Sequence, residues 1–127
     1  MNNNDLLAAN AAFYYAFEKK DIQAMSKVWS SGTGSLCVHP GGKIIQGWND
    51  IHTSWEKIFQ ATQYLEIDTE IIAVEVSGDL GYVVLRENVL QISRGRRLQA
   101  QSIATNIFAK MSQKWYMVHH HASPLMR

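Results

Sequence analysis

Residues 80–110, LGYVVLRENVLQISRGRRLQAQSIATNIFAK, decide the fold. Leu80 to Ser93 and Leu98 to Lys110 are two long runs rich in β-branched and aromatic residues, and Arg94-Gly95-Arg96 between them reads as a hairpin tip. With the tip at Gly95, Arg86 is expected opposite about Ala104 to Asn106. Downstream, Met111-Ser112-Gln113-Lys114 turns the chain again, and Trp115 to Ser123 forms the last strand. Upstream, Leu65, Ile67 and Ile71 alternate with Glu66, Asp68 and Glu70, and from Ile72 the apolar phase flips to Ile72, Val74 and Val76. A period of two that slips by one residue predicts a β-bulge or a bend. Ser77-Gly78-Asp79 then turns into the strand at Leu80. The second half of the chain is therefore a meander of long antiparallel strands.

The first half reads as helix. Leu6, Ala9, Phe13, Ala16 and Phe17 recur at helical spacing between Asp5 and Lys19. Asp21 is placed to cap a second helix carrying Ile22, Met25, Val28 and Trp29, which Ser30 to Gly34 ends. Two short strands, Leu36 to His39 and Lys43 to Gln46, flank the turn Pro40-Gly41-Gly42. A third helix follows Gly47, with Ile51, Trp55, Ile58 and Phe59 on one stripe. Three helices and a meander give an α+β fold, the helices covering one face of a strongly curved, mostly antiparallel sheet.

The 127 residues suit one domain, 1–127. With 46% hydrophobic and 18% charged residues, the chain can build a packed core. A net charge of +1 supplies no strong field for phosphates, which argues against nucleic-acid and polybasic membrane binding. No apolar run reaches membrane-spanning length, and Met1 to Asp5 lack the features of a signal peptide. A lone Cys37 excludes an internal disulfide. A cytoplasmic protein without a cofactor is the resulting expectation.

The closing strand, Lys114-Trp115-Tyr116-Met117-Val118-His119-His120-His121-Ala122-Ser123, resembles the W-x-x-V-H-x-H-x-S strand of the calcium/calmodulin-dependent kinase II association domain. Ala100-Gln101-Ser102 resembles the A-Q-S of the preceding strand, and Gly47-Trp48-Asn49-Asp50-Ile51-His52 the turn into the third helix. With the order of elements, this resembles the nuclear transport factor 2-like superfamily in its SnoaL-like branch, over Leu6 to Pro124. The resemblance implies a cone-shaped fold enclosing a deep pocket, with an outer sheet face that pairs with a second copy. In the association domain a histidine and three arginines line the pocket. Matched motif by motif, the histidine falls on His52 and the arginines on Arg86, Asn106 and Ala122.

Arg86 lies mid-strand on the face of Tyr82, Val84, Asn88 and Leu90, where an unpaired cation is costly. It reads either as an anion clamp in the pocket or as half of an ion pair with a helix carboxylate such as Glu56. His119 and His121 share one strand face and His120 takes the other, so no three-histidine metal site is expected. His120 shares its face with Ala122, whose family counterpart lines the pocket. Tyr14 can point its hydroxyl inward from the first helix. Glu66, Asp68 and Glu70 read as a solvated face. The candidate pocket is thus Arg86, Asn106, His52, His120 and Tyr14, with no metal ligands.

The expected function is a small-molecule-binding domain with a pocket for a small anionic or carbonyl-bearing ligand. Isomerase, dehydratase or cyclase chemistry with a histidine base is the enzymatic alternative, and an assembly domain the third. The expected partner is a second copy of the chain: both faces of the long strands are apolar, and the helices cover only one.

Overall fold

A computed structural model describes residues 3–125. The elements run α1 (Asn4–Lys19), α2 (Ile22–Val28), β1 (Leu36–Val38), β2 (Ile44–Gln46), α3 (Trp48–Ala61), β3 (Tyr64–Ser77), β4 (Leu80–Ser93), β5 (Arg96–Met111) and β6 (Lys114–Pro124). The strands form one sheet in the order β2-β1-β6-β5-β4-β3. All pairings are antiparallel except β1 with β6, where the chain returns after the whole meander. None of the described helices is long and apolar enough to cross a membrane.

The helix ends follow the local chemistry. Asp21 accepts a hydrogen bond from the Ala24 amide at 3.0 Å and starts α2. Lys20 closes α1 in a left-handed conformation, φ 53°, with amides returning to Ala16 and Phe17. Its ammonium then donates to the carbonyls of Thr62 and Gln63, at 2.8 and 3.0 Å, tying the end of α1 to the end of α3.

The anticipated slip in β3 is a bulge at Ile72: Ile71 pairs with Leu85 and Ala73 with Val84. A second bulge interrupts β5–β6, where Ile107 pairs with His119 and Phe108 with Met117. The β4–β5 register differs from the expected one, for Arg86 pairs with Ile103 rather than with Ala104 to Asn106. The cause is a two-residue tip. Arg94 and Gly95 both have positive φ, 52° and 75°, as a tight primed turn requires, so Ser93 already pairs with Arg96.

The core lies between the helices and one face of the sheet. Phe13 of α1 packs edge-on against Tyr14, Trp29 and Trp55. Beneath them lie the buried sheet residues Val83, Leu85, Ala104, Phe108 and Met117. Gly81 sits where β4 meets α1, and a Cβ there would stand 2.9 Å from Leu6 Cδ2. The end of α3 reaches the tip of the β4–β5 hairpin, where Ser93 Oγ donates to the Ala61 carbonyl at 2.7 Å, and β4 beyond Glu87 is only half-buried.

Candidate functional site

On β4 the buried residues are Gly81, Val83, Leu85 and Glu87, facing the helices, while Tyr82, Val84 and Arg86 alternate onto the outer face. Pairing carries this phase across the sheet. Asn106 lies between Val83 and His120, and Ser102 lies between Glu87 and Pro124. Three of the expected pocket residues, Tyr14, Asn106 and His120, therefore meet on the inner face, joined by Asn10 and Glu87.

They form one directed chain of hydrogen bonds. Tyr14 Oη donates to Glu87 Oε2 at 2.6 Å. Asn106 Nδ2 donates to Tyr14 Oη at 3.1 Å and to Asn10 Oδ1 at 2.9 Å. Asn106 Oδ1 stands 2.6 Å from His120 Nδ1 and accepts a hydrogen bond from it. The imidazole is held by aromatic neighbours, with Phe13 4.8 Å and Trp55 6.2 Å away between ring centres.

Glu87 and His120 both line a cavity of about 540 Å³ that extends along the β4–β5 hairpin to Ser93 and Leu98. Phe17, Ile58 and Val89 contribute apolar wall, and Ser102 lies across the ladder from Glu87. Among the described residues, no lysine or arginine lines it. His39 also lines it, with Nε2 3.0 Å from Ser54 Oγ, which in turn donates to the Ile51 carbonyl at 2.7 Å.

Burial sets the protonation of these groups. It pushes the Glu87 carboxyl up to about 7, against a smaller opposing pull from the Tyr14 hydrogen bond. It lowers His120 to about 3 and His39 to about 4, so both imidazoles are neutral near pH 7. Tyr14 is pushed well above its ordinary value, by burial first and by the Glu87 charge second, and acts as a hydroxyl donor. Cys37, pushed up to about 12 by burial, is an unreactive thiol.

Of the five expected pocket residues His120 alone lines this cavity, Tyr14 and Asn106 reach it through Glu87 and His120, and the other two lie elsewhere. Arg86 is on the outer face, where it pairs with Glu70 of the neighbouring strand at 2.8 Å. It does not line the cavity, and its carboxylate partner is on a strand rather than on a helix. Both sets of alternating residues on β4 are apolar, so alternation alone left open which set meets the helices. His52 lies about a third exposed on α3, with its Nδ1 3.4 Å from Glu56 and its ring edge-on to Trp48. Burial of Ile51 and Trp55 turns His52 away from the cavity. Glu87 is the residue that sequence reasoning passed over. Its signal was available: it is the one carboxylate in the series Val83, Leu85, Glu87, Val89.

The model of the SnoaL-like domain matches residues 6–127. The chain belongs to the SnoaL-like family. Among solved structures, this SnoaL-like chain superposes on a "putative dehydratase from the NTF2-like family" of Streptomyces avermitilis with a TM-score of 0.91. The two are 28% identical, over 98% of this chain and 97% of that one. A "putative calcium/calmodulin-dependent protein kinase type II association domain" of Thiobacillus denitrificans gives a TM-score of 0.84 at 28% identity, over 94% of each chain. The F-box protein SKIP8 of Arabidopsis thaliana is 25% identical over 121 residues, which are 95% of this chain but 50% of that protein. The SnoaL-like chain thus spans half the length of this curated relative. The expected nuclear transport factor 2-like fold is the one observed.

Proposed function

We propose that this SnoaL-like domain is an acid–base enzyme that moves a proton at the carbon beside a carbonyl group in a small, largely apolar molecule. The observation that carries this is Glu87: a buried carboxyl, held by one hydrogen bond from Tyr14, on the wall of the cavity. A base works best when its proton affinity matches the ambient pH, and burial brings Glu87 there. In the step, the Glu87 carboxylate takes the proton, the electron pair of the C–H bond moves into the enolate, and the proton returns to the same or a neighbouring carbon. Ser102 supplies a hydroxyl donor for the enolate oxygen from across the ladder. The histidine base considered from sequence is replaced in this reading, because His120 and His39 are too weakly basic. The anionic ligand is also replaced, because a carboxylate would meet Glu87 with no lysine or arginine among the described lining residues. The dehydratase name of the Streptomyces relative is consistent with such chemistry.

The test is hydrogen–deuterium exchange of small ketones, headed by 2-tetralone, followed by proton NMR in deuterated buffer. The domain is expected to accelerate exchange, and Glu87→Gln to lower the rate at least a hundredfold. Acceleration that survives in Glu87→Gln contradicts the assignment.

Pairing with a second copy through the outer sheet face is the second element of the proposal. Tyr82 is 40% exposed there, and Val84, Leu90, Ile103 and Ile107 remain half-buried with no described helix over them. Glu66, Asp68 and Glu70 lie at one edge of this face and the rings of His119 and His121, which can donate hydrogen bonds, toward the other. A two-fold axis parallel to the strands would set one edge against the other. Light scattering at micromolar concentration should give twice the chain mass, and a monomer would rule this pairing out.

A further inference from the structure

The hydrogen-bond chain has a direction, and the direction limits what the cavity can recognise. An amide nitrogen only donates, and both protons of Asn106 Nδ2 are taken, by Asn10 Oδ1 and Tyr14 Oη. Tyr14, receiving one of them, has its single proton left for Glu87 Oε2. The other atom of the amide, Asn106 Oδ1, only accepts, so the proton on His120 must sit on Nδ1. A neutral imidazole with Nδ1 protonated has a bare Nε2. The asparagine, itself oriented by Asn10 and Tyr14, thus fixes the tautomer of a histidine on the cavity wall.

We infer that His120 Nε2 is a hydrogen-bond acceptor for a hydroxyl group of the ligand, so that the site takes a neutral, hydroxyl-bearing carbonyl compound. This rests on the reading of the cavity as the substrate site and adds the substrate class. The same wall carries the Glu87 carboxyl, also an acceptor, and no lysine or arginine among the described residues. A ligand presenting only acceptors leaves Nε2 unpaired on a buried surface, which is costly, and a carboxylate adds repulsion from Glu87. Asn106 and Asn10 act through His120 and are positioning residues.

Three probes of one shape separate the possibilities: 2-naphthol, its methyl ether and 2-naphthoate, with binding read from NMR shifts of the unmodified protein. The naphthol is expected to bind at least tenfold more tightly than the ether, and the naphthoate weakest. Nitrogen-15 spectra of the histidine rings should show His120 protonated on Nδ1, with naphthol shifting Nε2. In Glu87→Gln the preference for naphthol should persist even where ketone exchange is lost. In His120→Phe it should vanish. A proton on Nε2 in the free protein overturns the inference, as do equal binding of naphthol and ether and the absence of any naphthol shift at millimolar concentration. Loss of the preference in Glu87→Gln overturns it too, by showing that the carboxylate reads the hydroxyl. None of these results touches the exchange experiment, so the two readings fail separately.

Discussion

Replacing Glu87 by glutamine should stabilise the protein, and only above a defined pH. The carboxyl is 2% exposed and is displaced from an ordinary 4.5 to about 7. Burial of the charged form is the main cause. In the unfolded chain Glu87 loses its proton near pH 4.5, whereas in the folded chain it keeps it until about pH 7. Unfolding therefore releases a proton in this window, and wild-type stability falls as the pH rises through it. At ~1.4 kcal/mol for each tenfold change in proton affinity, the loss is about 3 kcal/mol. Glutamine can still accept the hydrogen bond from Tyr14 but carries no titrating group. The stability of Glu87→Gln relative to wild type should rise by about 3 kcal/mol between pH 4.5 and 8, then stay flat. For a domain of this size that is roughly 10 °C in Tm. His39 and His120, whose lowered values act in the opposite sense as the pH falls below 6.5, are present in both proteins and cancel. Urea unfolding at pH 5, 6, 7 and 8 reads the difference. A difference that does not change with pH would refute the buried, proton-holding Glu87 on which the reasoning rests.

Tyr14→Phe removes the hydrogen bond that opposes the displacement of Glu87, so the Glu87 midpoint should move above 7 in a carbon-13 titration, with a stability loss of about 1–3 kcal/mol. Gly81→Ala places a Cβ 2.9 Å from Leu6 Cδ2 and 3.2 Å from the Glu75 carbonyl oxygen, and should cost about 1–3 kcal/mol in urea unfolding. Arg86→Leu should change stability by less than about 1 kcal/mol, because the pair it breaks with Glu70 is solvent-exposed, and should leave naphthol binding in the cavity unchanged by NMR titration.

The hairpins, the slip at Ile72, the Asp21 cap and the apolar stripe of α3 were legible because each rests on local chemistry or on a period within one element. The side of the sheet that meets the helices was not. Tyr82, Val84 and Leu90 are as apolar as Val83, Leu85 and Val89, so alternation alone could not orient β4. Matching Arg86 to a family pocket residue selected the wrong side and drew attention away from Glu87, its neighbour in sequence. Tyr14, Asn106 and His120 could be named from the sequence, but their direction as a chain could not. It depends on Asn10, one α1 residue among several polar ones, and on a contact between residues 96 positions apart.

The pH dependence of ketone exchange tests the central claim most directly. If Glu87 is the base, it works as the carboxylate, so the rate with 2-tetralone should rise with pH, bend near pH 7 and level off above it. The bend should vanish in Glu87→Gln. A rate without that bend, or a bend that survives the substitution, would contradict Glu87 as the group that moves the proton.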